Sequence, residues 1–285
     1  MHRSEYDPSL SSAVLDEAAA LLKSIGFAAH HVILIGGSVP GLLVPELDPG
    51  IEPHVGTTDL DFCLSVAIVE GETAQYERIE QGLKQAGFVA VESWRWRGGP
   101  DGRLLVEFFC PAGPGREPGK LFRPKQQESP TAKHNLGSSL SALALEAGSM
   151  ISDDVHVVTR EVELPRGKGK QLMEFRVTGL TALLTAKADA LRRRDKRKDA
   201  YDIVWVLEAW PGGPAGAGEV VRQSPFIERP EVAQTLATLQ DQFGDIDRAG
   251  ARAYAGFLGE AGDDLDLLAR RAVGAVGEFL SVTRE

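Results

Sequence analysis

Residues 31–62 read HVILIGGSVPGLLVPELDPGIEPHVGTTDLDF. His31 to Ile35 is a short β-branched run that stops at Gly36-Gly37-Ser38, and Val39 to Leu47 has the composition of a short helix capped by Ser38. A second strand is expected from Thr58 to Val66. Strand alternation there puts Asp59 and Asp61 on one face and Leu60 and Phe62 on the other. Two carboxylates about 5 Å apart repel by about 3 kcal/mol at an effective dielectric near 20, which a divalent cation or a raised pKa would relieve. The ordinary alternative is a pair of exposed aspartates on a half-buried strand. The Gly36-Gly37-Ser38 turn offers backbone N–H groups and a hydroxyl to an anion such as a triphosphate, or is simply a tight turn with a serine cap. No G-x-G-x-x-G or G-x-x-x-x-G-K-[ST] occurs, which argues against a dinucleotide fold and a P-loop.

Working outward, Pro8 to Phe27 has amphipathic helical spacing, with apolar residues at Leu10, Val14, Leu15, Ala18, Leu21, Leu22 and Ile25. Downstream, a helix is expected from Glu72 to Gly87. Two strands, Val89 to Arg97 and Leu104 to Cys110, follow around a Gly-Gly-Pro-Asp-Gly turn. Glu107 interrupts the apolar run of the second strand, where a charge is costly unless paired or metal-bound. It is a candidate third ligand, or else the strand lies at a sheet edge. The order αβαβαββ predicts an α/β (α+β) fold, a mixed sheet flanked by helices. Residues 111–136 are rich in Pro and Gly and read as a lid or binding loop. Strands at Val155 to Leu164 and Gln171 to Val177 precede helices at Leu180 to Arg194 and Asp199 to Trp210, then a linker, PGGPAGAG, at 211–218. Helical periodicity continues to Leu280, so the division expected is a core over 1–136 and a mainly helical lobe over 137–285.

At 285 residues two lobes are the natural expectation. The net charge of −10 argues against a nucleic-acid partner until its distribution is considered. Residues 111–200 hold 17 Lys and Arg against 11 Asp and Glu, a balance of +6, which leaves −16 elsewhere. Cys63 and Cys110 fall in apolar runs and are expected to be reduced and buried. No apolar run reaches the length of a membrane span and no signal peptide is evident, so a cytoplasmic protein without a membrane partner is expected.

Taken together, Gly-Gly-Ser, then Asp-Leu-Asp, then a carboxylate on a later strand resembles the polymerase-beta-type nucleotidyltransferases. More narrowly, ILIGGSVPGLLVP with GTTDLDF, and FRVTGLTALLTAKADALRRRDKRKDAYDIV, resemble the AbiEii-type nucleotidyltransferase toxins, which include mycobacterial toxins that add nucleotides to tRNA ends. The resemblance runs over about 30 to 210. It implies a nucleotidyltransferase core with a helical C-terminal lobe, Mg2+ or Mn2+ held by Asp59, Asp61 and Glu107, and a nucleoside triphosphate gripped by Gly36, Gly37 and Ser38. It also implies that Lys187 reaches the phosphates and that Asp199, or failing it Asp202, is a required carboxylate. A snorkelling Lys187 and a capping or arginine-paired Asp199 are the structural alternatives. The acceptor implied is tRNA or another RNA, with a cognate antitoxin as a further partner. Arg192, Arg193, Arg194, Lys196, Arg197 and Lys198 would then meet the polyanion, or form a solvated face. A small-molecule acceptor and a binding protein without turnover are the other functions open at this point. The 20 residues between Ser38 and Asp59 exceed the compact family pattern, with PELDPGIEPH as an inserted loop, and Val55-Gly56 stands where relatives often carry Arg.

Overall fold

A computed structural model describes residues 2–6, 8–65, 73–99, 102–123, 140–164, 167–194 and 197–284. The fold is α+β, with a mixed sheet. By packing, the chain forms two compact units. One comprises Ser9–Ser38 and Thr57–Thr178; the other comprises Met1–Pro8, Val39–Gly56 and Gly179–Glu285. The division expected at 136/137 falls outside the described residues.

The first unit holds the strands. In chain order they are β1 (Val32–Ile35), β2 (Asp59–Leu64), β3 (Val89–Glu92), β4 (Arg95–Gly98), β5 (Leu104–Pro111), β6 (Leu121–Phe122), β7 (Ala142–Leu145), β8 (Val155–Glu163) and β9 (Lys170–Thr178). Their spatial order is β3-β4-β5-β2-β1-β9-β8, with β7 beside the end of β5 and β6 beside β7. The β1 run Val-Ile-Leu-Ile is buried throughout, as a strand with neighbours on both sides should be. Strand β2 alternates at its start: Asp59 and Asp61 are half-exposed, whereas Leu60 and Phe62 are buried. Phe62 stacks on Phe108 of β5 with ring centroids 6.0 Å apart. Helix α1 (Pro8–Ile25) buries Val14, Ala18, Leu21, Leu22 and Ile25, the stripe its spacing predicts.

Three local expectations are corrected. Val89 to Arg97 is a hairpin of β3 and β4 rather than one strand, turning at Ser93-Trp94, where Trp94 Nε1 donates to Glu92 at 2.8 Å. The segment Ala142–Leu145, alanine and leucine only, pairs with Phe109–Pro111 as a strand because the free length of β5 recruits it. Residues 211–218 are not a linker, because Gly213–Arg222 is helical. Pro214 sits in the first turn, where its missing N–H costs nothing, and Gly218 lets the helix approach Phe279, whose carbonyl a β-carbon would meet at 2.8 Å. Of the loop expected over 111–136, residues 121–122 form β6, and residues 124–136 lie outside the described residues.

The second unit is helical apart from its loops. After α2 (Val39–Leu43), α3 (Thr73–Gln85) and α4 (Gly148–Asp153), of which only α2 belongs here, come α5 (Leu180–Arg193), α6 (Arg197–Ala209), α7 (Gly213–Arg222), α8 (Pro230–Phe243), α9 (Ala249–Leu258) and α10 (Leu265–Thr283). Helix α6 is buried nearly all round, which makes it the centre of the bundle. Asp264 caps α10, accepting from the N–H groups of Asp266 and Leu267 at 3.0 and 3.1 Å.

Candidate functional site

Register places the expected carboxylates in rows across the sheet. Ile35 of β1 lies opposite Asp61 of β2, Asp61 opposite Glu107 of β5, and Glu107 opposite Arg95 of β4. Paired residues face the same side, so Arg95, Glu107, Asp61 and Ile35 form one row, with Asp59, Leu105 and Arg97 in the next row along. Strand β5 is flanked on both sides, which removes the edge-strand alternative for Glu107. What holds its charge is Arg95, whose Nε donates to Glu107 Oε1 at 2.6 Å while its guanidinium lies 4.1 Å from the Trp94 ring centroid. Arg95 went unnoticed in the sequence because its relevance depends on the hairpin that sets it opposite Glu107.

The glycine turn meets the same row. Gly36 follows Ile35 with φ +77, and a β-carbon there would lie 2.0 Å from Asp61 Oδ2. Only glycine lets the turn sit against that carboxylate. The Ser38 hydroxyl oxygen is buried and lacks a hydrogen-bond partner among the described residues, a costly state that an incoming acceptor group would relieve. Thr57 Oγ1 accepts the Asp59 N–H at 3.3 Å, tying down the entry to β2. Gly36, Gly37, Ser38, Asp59, Asp61 and Glu107 thus belong to one unit, with Gly36, Asp61 and Glu107 as successive neighbours.

Among the described residues, no three or more of His, Cys, Asp and Glu converge as a ready-made metal group. Magnesium is commonly bound by one or two carboxylates together with substrate phosphates, so a half-exposed pair of hard oxygen donors beside a glycine turn suits it. Cys63 and Cys110 are free and buried; burial pushes the Cys110 thiol up to about 11 and Cys63 further, leaving neither as a thiolate ligand.

Lys187 and Asp199 belong to the helical unit and come together there. Lys187 Nζ donates to Asp199 at 3.0 Å and to Asp202 at 2.5 Å, and all three are buried. Asp202 also accepts from Lys198 Nζ at 2.7 Å and from His54 at 2.9 Å, while Asp199 accepts from Arg194 at 2.9 Å. Burial alone would raise the Asp202 pKa, but the Lys187 and Lys198 charges and the His54 hydrogen bond hold it far below the usual carboxylate range. Lys187 is raised, its burial outweighed by the two aspartates. Lys198 is lowered, chiefly by burial. The Lys187 ammonium is therefore spent on two carboxylates of its own unit.

His54 was not visible as a site residue, because nothing in its local spacing announces a partner 148 positions away. Its Nδ1 accepts the Gly56 N–H at 3.0 Å, so the proton sits on Nε2 and is donated to Asp202. Burial is the main cause that lowers its pKa from 6.5 to about 4, against the pull of Asp202. Between those values the unfolded chain holds the extra proton and the folded chain does not. Stability is therefore expected to fall as pH falls from 6.5 towards 4, by about 3 kcal/mol at most from this residue. Urea unfolding at pH 7.0 and 4.5 should show the loss, and His54→Gln should flatten it. A wild-type profile no steeper than that of the variant would contradict a buried neutral imidazole.

The basic run at 192–198 is largely occupied. Arg192 and Arg193 both bind Asp189, at 2.8 and 2.7 Å, Arg194 binds Asp199, Arg197 donates to the Gly256 carbonyl at 3.1 Å, and Lys198 is buried on Asp202. Lys196 lies outside the described residues. No helix among the described residues is long and apolar enough to cross a membrane.

No model of a known family matches the chain, and no curated protein matches it. Among solved structures it is similar to one described as the crystal structure of JHP933 from Helicobacter pylori, at 11% identity over 98% of this chain and 95% of that one, with a TM-score of 0.35. A likeness at that level carries no argument about function.

Proposed function

We propose that the chain is a Mg2+-dependent nucleotidyltransferase of the polymerase-beta type, moving an NMP from a nucleoside triphosphate to an acceptor hydroxyl with release of pyrophosphate. The observation that carries this reading is the glycine turn pressed against Asp61 in the same row as Glu107. A phosphate chain and a carboxylate-bound cation need to be neighbours for this reaction, and that turn is too close for any other residue. Asp59 and Asp61 would hold magnesium, which when bound supplies charge neutralisation and lowers the pKa of a nearby hydroxyl. The Ser38 hydroxyl and the turn amides would bind and orient the triphosphate. Glu107, which accepts a hydrogen bond from Arg95 at 2.6 Å, would complete the metal site beside them. In the transfer, the acceptor oxygen would form a bond to the α-phosphorus, the bond from that phosphorus to the α–β bridging oxygen would break with its electron pair leaving on pyrophosphate, and the hydroxyl proton would pass to solvent.

For the acceptor, the resemblance to AbiEii-type toxins favours the 3′ end of an RNA, tRNA in particular, with an antitoxin as the controlling partner. The internal ion pairs of Arg192, Arg193 and Arg194 favour a second reading, a small-molecule acceptor, because cations already paired contribute less to polyanion binding. Incubation with each labelled NTP, Mg2+ and total RNA, followed by gel electrophoresis, is expected to give a labelled band at tRNA size whose intensity falls steeply with added salt. Labelled small products with weak salt dependence would move the assignment to the second reading. No Mg2+-dependent incorporation into any acceptor would remove both.

A further inference from the structure

The end of the sheet that carries the glycine turn is flanked on its far side by β9. That strand runs parallel to β1 with Val177 opposite Leu34, and Leu34 in turn lies opposite Phe62, so Val177 belongs to the apolar face. Its neighbours Arg176 and Thr178 therefore stand on the other face, the one that carries Asp61 and Glu107. Thr178 falls beside Ile35 and prolongs the row of Arg95, Glu107, Asp61 and Ile35. Arg176 falls beside Ile33, one row further back.

Three side-chain polar atoms at this corner are unsatisfied. Ser38 Oγ, Thr178 Oγ1 and Arg176 Nε are buried and have no hydrogen-bond partner among the described residues, and the Arg176 guanidinium has no ion pair among them. Thr178 as a whole is 1% exposed. Such groups are costly when dry and unpaired, a charged one above all. Each can donate a hydrogen bond, and Arg176 adds a positive charge, so the missing partner is an anion rich in oxygen. The residue opposite Arg176 on β8 is Val157, 57% exposed, which leaves this face open to solvent beside the guanidinium.

We propose that Arg176 and Thr178 join Ser38 in holding the terminal phosphates of the nucleoside triphosphate. The identity of the ligand rests on the nucleotidyltransferase reading above; the unpaired donors do not. Every residue involved belongs to the sheet unit. The reacting α-phosphorus has to lie by the carboxylate-bound cation, and Asp61 flanks Ile35 on one side while Thr178 flanks it on the other. A triphosphate that starts at Asp61 and crosses the glycine turn thus brings its β and γ groups to Thr178. Arg176 stands two residues behind, about 6.6 Å along the strand, a span that an arginine side chain covers. Its fork suits two phosphate oxygens at once. The role that the family resemblance gives to Lys187 then falls to Arg176, since the Lys187 ammonium is held by two aspartates.

The test measures binding of inorganic tripolyphosphate by calorimetry, in excess Mg2+, to full-length wild type, Thr178→Val and Arg176→Gln, with urea unfolding of each. In Thr178→Val, which keeps the shape and removes the hydroxyl, affinity should fall about tenfold or more while stability stays level or rises, because an unpaired buried hydroxyl is gone. A merely structural hydroxyl would give the opposite pair of results. Arg176→Gln should also lose about tenfold or more, with partial recovery in Arg176→Lys, which restores charge without the fork. Arg176 is the less buried of the two and carries the test if the valine variant does not fold. Wild-type affinity in either variant removes that residue from the site, and no tripolyphosphate binding by the wild type overturns the proposal. If these residues bind tripolyphosphate but the wild type transfers no NMP, the anion site stands and the transferase reading falls. If NMP is transferred while both variants bind as the wild type does, the reading stands and this assignment falls.

Discussion

Asp61→Asn is expected to lower Mg2+-dependent NMP transfer by about 10³-fold or more with the fold intact. The substitution keeps size and shape, so packing beside Gly36 is preserved, and it removes one of two like charges on the same face of β2. What is lost is a hard anionic oxygen at the point where the glycine turn and the carboxylate row meet. An amide oxygen binds magnesium far more weakly and leaves the phosphate charge uncompensated. Transfer rates across a Mg2+ titration, with circular dichroism as the control for fold, decide the matter. Turnover at the wild-type rate would remove Asp61 from the site.

The second large effect concerns stability. Asp202→Ala should destabilise the helical unit by about 3 to 5 kcal/mol, the usual result of taking one partner from a buried ion cluster. Three donors, from Lys187, Lys198 and His54, converge on this carboxylate, and its side chain is 0% exposed. Its removal leaves Lys198 buried beside the Lys187 ammonium, with Asp199 left as the carboxylate among the described residues of the cluster. By contrast, an exposed pair such as Arg222 with Glu219 is held in water and contributes little. Urea unfolding followed by tryptophan fluorescence is informative, because Trp205 lies on the same helix. A loss under about 1 kcal/mol would mean that the cluster is not the closed network its distances describe.

How much of this was legible in the sequence depended on whether the deciding contact was local. The alternation of Asp59, Leu60, Asp61 and Phe62 is a property of four consecutive residues, and the strand carries it as read. The turn after Ile35 was legible for the same reason. Arg95 and His54 were not, since each acquires its partner only through pairing or packing set elsewhere in the chain. The helix at Gly213–Arg222 was hidden by composition: its glycines and alanines suggest a linker until close packing against α10 accounts for small side chains. Lys187 illustrates a different limit. Its place on an apolar helix was legible from spacing, but spacing alone could not show what its ammonium met, and here two aspartates hold it.

Strand β1 completes its pairing at two very different times during synthesis. Ile33 meets Cys63 within a short stretch of chain, whereas Leu34 must wait for Val177 on the other side. Until the last strand has emerged from the ribosome, the most apolar ribbon of the sheet has one open row of backbone donors and acceptors, a ready template for another nascent chain. Closing so long a loop is also slow, since the entropy cost comes before the contacts that reward it. The sheet unit is thus a late-closing structure: a chain ended before Lys170 contains Asp59, Asp61 and Glu107, but lacks the strand that pairs with β1 on its second side.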